Sequence, residues 1–208
     1  MRMFVLNLTV AAALAAGVML TWSTAPTLAA QGHKGASEVI AAWKATPQEV
    51  AKKMIAKYGQ PQEVTANRLI WHNNGPWKFT ELVNEEIPHE FPMPHKDMLY
   101  QAINYRIDPA KADELLHYDG SLLLERTKGE LGARCDKEEA NFLALNLAHD
   151  VVTGKKSPDE ARQFYSDTIM AMVKEKKIGD YLKGFQFKPP AGNQGDADKP
   201  LGGTTRFY

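Results

Sequence analysis

Cysteine is almost missing from this chain. Cys135 stands alone among 208 residues, so no intramolecular disulfide can form and stability has to come from an ordinary core. Net charge is missing as well: 25 basic residues cancel 25 acidic ones, which argues against nucleic acid or an anionic membrane surface as a partner. There is no Cys-x-x-Cys-His stretch for covalent haem, no Gly-x-Ser-x-Gly elbow and no glycine loop to cradle phosphates. His89-Glu90 followed by His95 fails as a zincin motif, because that chemistry needs two histidines one turn apart on a helix. Pro88, Pro92 and Pro94 forbid that helix.

Acidic residues are absent from the first thirty positions, where Arg2 is the only charge and precedes an apolar run from Phe4 to Leu20. Small residues at Leu28-Ala29-Ala30 then suit a signal peptidase. Residues 1–30 are therefore expected to be a signal peptide cleaved near Ala29 to Gln31, giving a periplasmic or secreted bacterial protein. An uncleaved anchor is the alternative. Asn7, Thr9 and Gly17 interrupt the run, which falls short of the ~20 predominantly apolar residues of a spanning helix, so no stable membrane insertion is expected after cleavage. No cysteine follows the apolar run, which argues against a lipoprotein. About 178 residues remain, enough for one core; a single domain is expected over 31–188, followed by a flexible Pro/Gly-rich tail over 189–208.

Helix starts are the clearest local signals. Thr46-Pro47-Gln48-Glu49 opens a segment stopped by Gly59, Asp108-Pro109 opens a short one ending near Gly120, and Ser157-Pro158-Asp159-Glu160 opens a long one. A helix over 136–153 is expected to carry a capping box formed by Asp136 and Glu139, and Gly154 offers a left-handed stop. Its apolar stripe through Leu143 and Leu147 is broad enough for a central buried element. Between these helices the pattern is strand-like in 64–72, 77–87, 99–107, 121–127 and 130–135, with Asn73-Asn74-Gly75-Pro76 as a hairpin turn. The third segment also fits a helix face; strand is preferred. The predicted class is α+β, an antiparallel sheet of about five strands packed by N-terminal and C-terminal helices.

Three constellations could carry chemistry. Trp71, His72, Asn74 and Trp77 bracket the polar turn, and exposed rings beside amides would suit a sugar or peptide; two tryptophans flanking a hairpin also serve as cross-strand or core packing. His89, Met93 and His95 place imidazole and thioether donors in one short segment, a combination that suits copper. In an extended chain Met93 and His95 share a side about 6 to 7 Å apart, and His89, His72 or His117 would complete the set. The plainer alternative is an irregular proline-rich connection with Phe91 and Met93 plugging the core. Cys135 precedes the Asp136 helix start, where backbone N–H groups can favour a reactive thiolate, although Asp136 and burial oppose this. The pairs His95 and Asp97, His117 and Asp119, and His149 and Asp150 have no evident nucleophile beside them and read as ordinary polar residues.

The segments 68–77 and 133–139 resemble parts of bacterial exported proteins, a resemblance that implies an envelope setting and no particular activity. Three function classes stay open. The first is an exported binding or accessory protein for a small molecule, a glycan or an envelope protein; the second is a copper-handling protein; the third is an enzyme of unrecognised type.

Overall fold

A computed structural model describes residues 35–202. The expected signal peptide lies outside the described residues. Six strands form one antiparallel sheet: β1 (Glu63–Thr65), β2 (Arg68–His72), β3 (Phe79–His89), β4 (His95–Asn104), β5 (Leu122–Glu125) and β6 (Glu130–Cys135), in the order β1-β2-β3-β4-β6-β5. The class is the predicted α+β. The extra strand arises because the apolar run 64–72 is not continuous: it folds back at Ala66 and Asn67, so that Thr65 pairs with Arg68.

The helices are α1 (Ala36–Ile40), α2 (Ala45–Tyr58), α3 (Ala112–Tyr118), α4 (Glu138–Val152), α5 (Pro158–Glu175) and α6 (Asp180–Lys183). Short α1 and α6 carry no sequence signal strong enough to announce them. Ser157 and Glu160 form the reciprocal capping box at the start of α5, and Asp108 caps the 3-10 turn that leads into α3. Gly59 and Gly154 stop α2 and α4 at positive φ. The start of α4 differs from expectation. Lys137 occupies the cap position without a side-chain bond, and Asp136 instead pairs with Lys137.

Both α2 and α4 pack on the sheet face that carries Leu69, Trp71, Leu82, Leu99, Leu131 and Ala133. The opposite face bears Arg68 paired with Glu81, and the Tyr100 ring laid across Gly132, where a Cβ would come within 2.2 Å of it. Leu143, Leu145 and Leu147 of α4 are fully buried, which accounts for the breadth of that helix's apolar stripe. Leu147→Ala is expected to cost ~2 to 5 kcal/mol in chemical denaturation.

One irregularity positions the site described below. Leu82 pairs with Leu99 and Ile87 with Asp97, so four residues of β3, Val83 to Glu86, stand opposite the single residue Met98. Side chains alternate along a strand, so in a regular β3 Leu82 and His89 would point to opposite faces. The surplus is odd in number and reverses that alternation. His89, directly opposite His95, therefore joins the helix-covered face together with Asp97 and Leu99.

Beyond Pro189 the chain returns to the turn between β5 and β6. Arg126 pairs with Asp196 and Asp198, and Gly129, at φ +65°, lies so close to Gln194 that no side chain would fit between them.

Candidate metal centre

At the end of the sheet where β3 turns into β4, three side chains converge: His89, His95 and Asp97 each offer a donor atom, all within 4.8 Å of one another. Asp97 is 3% exposed, deep for a carboxylate. Its Oδ1 lies 3.0 Å from His95 Nε2 and its Oδ2 lies 3.1 Å from His89 Nδ1. These are hydrogen-bond distances without hydrogen-bond alignment. Asp97 Oδ1 and His89 Nδ1 are both buried and have no hydrogen-bond partner among the described residues. Buried polar atoms are nearly always partnered, so two unpartnered ones in one cluster ask for an explanation.

The tautomer of His95 can be read from its other nitrogen. Nδ1 lies 2.8 Å from the Met93 carbonyl oxygen, which can only accept, so Nδ1 carries the proton. In the neutral ring Nε2 then presents its lone pair toward Asp97. This is the arrangement that prepares a histidine to bind a metal. His89 Nε2 stands 3.9 Å from the buried Asp119 carboxylate, too far for a hydrogen bond but close enough for charge attraction, and Asp119 in turn accepts from the backbone N–H and the hydroxyl of Ser121.

Electrostatics follow the same geometry. Burial opposes ionisation of Asp97, and the imidazoles of His89 and His95 together outweigh it, holding the carboxyl below its usual range. The Asp97 carboxylate raises the His95 imidazole above its ordinary value, against the effect of burial. The pair the sequence presents as ordinary polar residues is thus a largely buried ion pair.

Cys135 ends β6 beside this group. Its Sγ lies 3.6 Å from His95 Nε2 and 3.5 Å from Asp136 Oδ1. The expected activation by a helix N-terminus does not hold. Burial foremost, then the Asp136 and Asp97 carboxylates, pushes the thiol well above its usual value. Nor do Cys135, His95 and Asp97 form a proton relay, which needs thiol and carboxylate on different ring nitrogens. Both face Nε2 here, and Nδ1 is engaged by Met93.

Met93 contributes its carbonyl to His95, while its side chain packs against the core and lines an open cleft of about 230 Å³. His95 and Cys135 form part of that cleft's wall, facing Tyr165, Ile169 and Met172. Of the residues expected to bind copper, the two histidines are thus brought together. His72 is elsewhere, at the far end of β2 beside Glu63, and His117 faces Asp159.

The aromatic constellation around the turn is corrected outright. Trp71 and Trp77 are 0% and 2% exposed, and no stacking platform exists between them. Trp71 donates its indole N–H to the Gly59 carbonyl, and Trp77 donates to Glu138. Asn74 is buried and donates to Thr80. Alternation along β2 turns Trp71 inward with Leu69, which leaves only His72 of the four exposed.

Asp97 and Asp119 are the participants that sequence reasoning passed over. Asp97 had a usable signal, since it stands two residues from His95 and shares its strand face. Asp119 had none. A scan against protein-family models finds no match to the chain, and comparisons with curated proteins and with solved structures find none either. Among the described residues, no helix is long and apolar enough to cross a membrane.

Proposed function

We propose that this chain is an exported metal-binding protein whose ligand is zinc, held by His89, His95 and Asp97. The observation that carries the proposal is the convergence of His89, His95 and the buried Asp97, with one donor atom from each within 4.8 Å of the others and with Asp97 Oδ1 and His89 Nδ1 lacking an aligned hydrogen bond. Zinc bonds of about 2.0 to 2.2 Å to nitrogen and oxygen, at tetrahedral angles, separate two donors by roughly 3.3 to 3.5 Å. The imidazole nitrogens lie 3.1 and 3.0 Å from different oxygens of Asp97, and a set of one donor atom from each residue already falls within 4.8 Å, so the side chains need to close inward to reach zinc distances. Two imidazoles and a carboxylate are donors of the borderline kind that zinc accepts. Copper(I) would be better served by a thioether, and it is the carbonyl of Met93 that is turned to His95. Export rests on the charge order and small residues of the first thirty positions.

The test is titration of chelator-stripped protein with zinc in competition with a chromophoric chelator, read together with native mass spectrometry. One zinc per chain is expected. Protons compete for His95, whose pKa lies above the ordinary value near 6.5, so affinity should still be climbing above that pH and should fall steeply below it. Absence of stoichiometric zinc at slightly alkaline pH would refute the reading.

A further inference from the structure

The three donors leave a fourth position open, and what fills it decides what kind of site this is. A solvent molecule there would make the zinc catalytic; a fourth protein ligand would make the site closed. Resting on the zinc reading above, we infer that Cys135 is the fourth ligand and that it closes the site when the metal arrives.

The register puts the sulfur on the right face. Cys135 of β6 pairs with Leu99 of β4, and residues directly opposite one another share a face. Asp97 and His95 lie two and four positions from Leu99 on the same strand, so they share it too. His89 is opposite His95. Three neighbouring strands thus deliver two imidazoles, one carboxylate and one thiol to a single end of the helix-covered face.

Distance agrees with register. The 3.6 Å between Cys135 Sγ and His95 Nε2 is a hydrogen-bond distance for sulfur, which puts the thiol against the same lone pair that would face a metal. The separation is close to the roughly 3.5 Å that separates sulfur and nitrogen ligands on a tetrahedral zinc with bonds of about 2.3 and 2.05 Å. The thiol does not yet belong to the triplet that lies within 4.8 Å. Its sulfur, now 3.5 Å from Asp136 Oδ1, would have to leave that contact to join them.

Charge balance permits the same answer. Zinc on two neutral imidazoles and one carboxylate leaves a ligand set of net charge +1, which the buried Asp119 carboxylate near His89 meets only from outside the set. When the S–H bond breaks, the proton passes to solvent and the sulfur lone pair forms the Zn–S bond; the ligand set then neutralises the ion. Asp97, 97% buried, facing both imidazoles and with its Oδ1 lacking an aligned hydrogen bond, is the independent mark of a ligand here, since a solitary thiol beside a helix would not be one.

Cobalt(II) replaces zinc in such sites and reports its ligands by colour. The purified protein, stripped and loaded with one equivalent of cobalt(II), should show the intense visible bands of a four-coordinate ion together with a near-ultraviolet sulfur-to-cobalt charge-transfer band. Cys135→Ser should lose the charge-transfer band, keep visible absorption from the remaining donors, and bind zinc at least about tenfold more weakly. Wild-type protein that binds cobalt(II) without a sulfur band, and whose zinc affinity Cys135→Ser leaves unchanged, would overturn the closure and leave the three-residue site standing. Wild-type protein that binds neither metal would overturn the site itself. The wild-type spectrum decides the ligand even if the serine variant folds poorly.

Discussion

Asp97→Ala should lower zinc affinity by more than about 100-fold, the largest functional effect expected of any single substitution in the chain. Losing a partner behind a ligand typically costs ~10- to 100-fold, and a ligand that faces both imidazoles should exceed that. Competition with a chromophoric chelator measures it, with exposed Asp113→Ala as the variant that should change nothing. A loss below about tenfold would mean that Asp97 does not touch the metal.

The same carboxylate shapes the apo protein's response to pH, in a direction that separates metal from no metal. His95 is raised by Asp97, so its share of apo stability is full below the unfolded value near 6.5 and is lost as pH climbs through the raised folded value. Asp97 is lowered, so its share is full above the unfolded value near 3.8 and is lost as pH falls through the depressed one. Apo protein should therefore weaken as pH rises past neutral, while zinc, freed from proton competition, stabilises it increasingly over the same interval.

Glu138→Ala should be the most damaging change outside the metal centre, at about 3 kcal/mol. Glu138 opens α4 and is buried; its Oε1 accepts from the Trp77 indole at 2.7 Å and from Gln101 at 3.2 Å, and its carboxylate also takes bonds from Tyr58 and Lys57. Burial raises its pKa, and Lys57, Tyr58 and Trp77 together outweigh that and lower it. Removing the acceptor strands at least one fully buried donor, the Trp77 N–H, at ~1 to 3 kcal/mol for each such group. Lys57 is half exposed and regains water, so it adds little. Glu138→Gln keeps an acceptor and should recover part of the loss. Denaturation that finds less than ~0.5 kcal/mol for the alanine variant would place Glu138 among ordinary surface positions.

Much of the framework is legible in the sequence because its signals are local. Ser157 with Glu160, Asp108 before Pro109, and the glycines at 59 and 154 act within a few residues of themselves, and each does what its chemistry implies. The turn after His72 and the antiparallel pairing follow from the same kind of signal. Where a local rule has a distant competitor, it misleads. Asp136 has the composition of a helix cap but is drawn to Lys137, while the Lys44 N–H at the start of α2 is met by Asn84, forty positions away. Trp71 and Trp77 flank a polar turn and look presentable to a ligand, yet alternation and the helices above turn both inward.

The site was half visible. His89 and His95 stood out as imidazoles in a helix-forbidden segment, and Cys135 as the solitary thiol. Met93 drew the reading toward copper because thioether chemistry is visible in a sequence and the role of a backbone carbonyl is not. Asp97 and Asp119 are ordinary acids until folding buries them, and only the register of three strands reveals that Cys135 belongs with β4.

The uneven pairing of β3 makes this site a matter of parity as much as of composition. With four residues spanning the gap that one residue of β4 fills, His89 arrives on the occupied side of the ribbon. Removing a single codon between Leu82 and Ile87 would turn its imidazole to the opposite face, the side of Pro88 and Lys96, with every donor still written in the gene. A relative could keep His89, His95, Asp97 and Cys135 without bringing them together, and another could bring them together by inserting a residue that touches none of them. In chains of this shape, the count from Leu82 to His89 is a better marker of the centre than the histidines themselves.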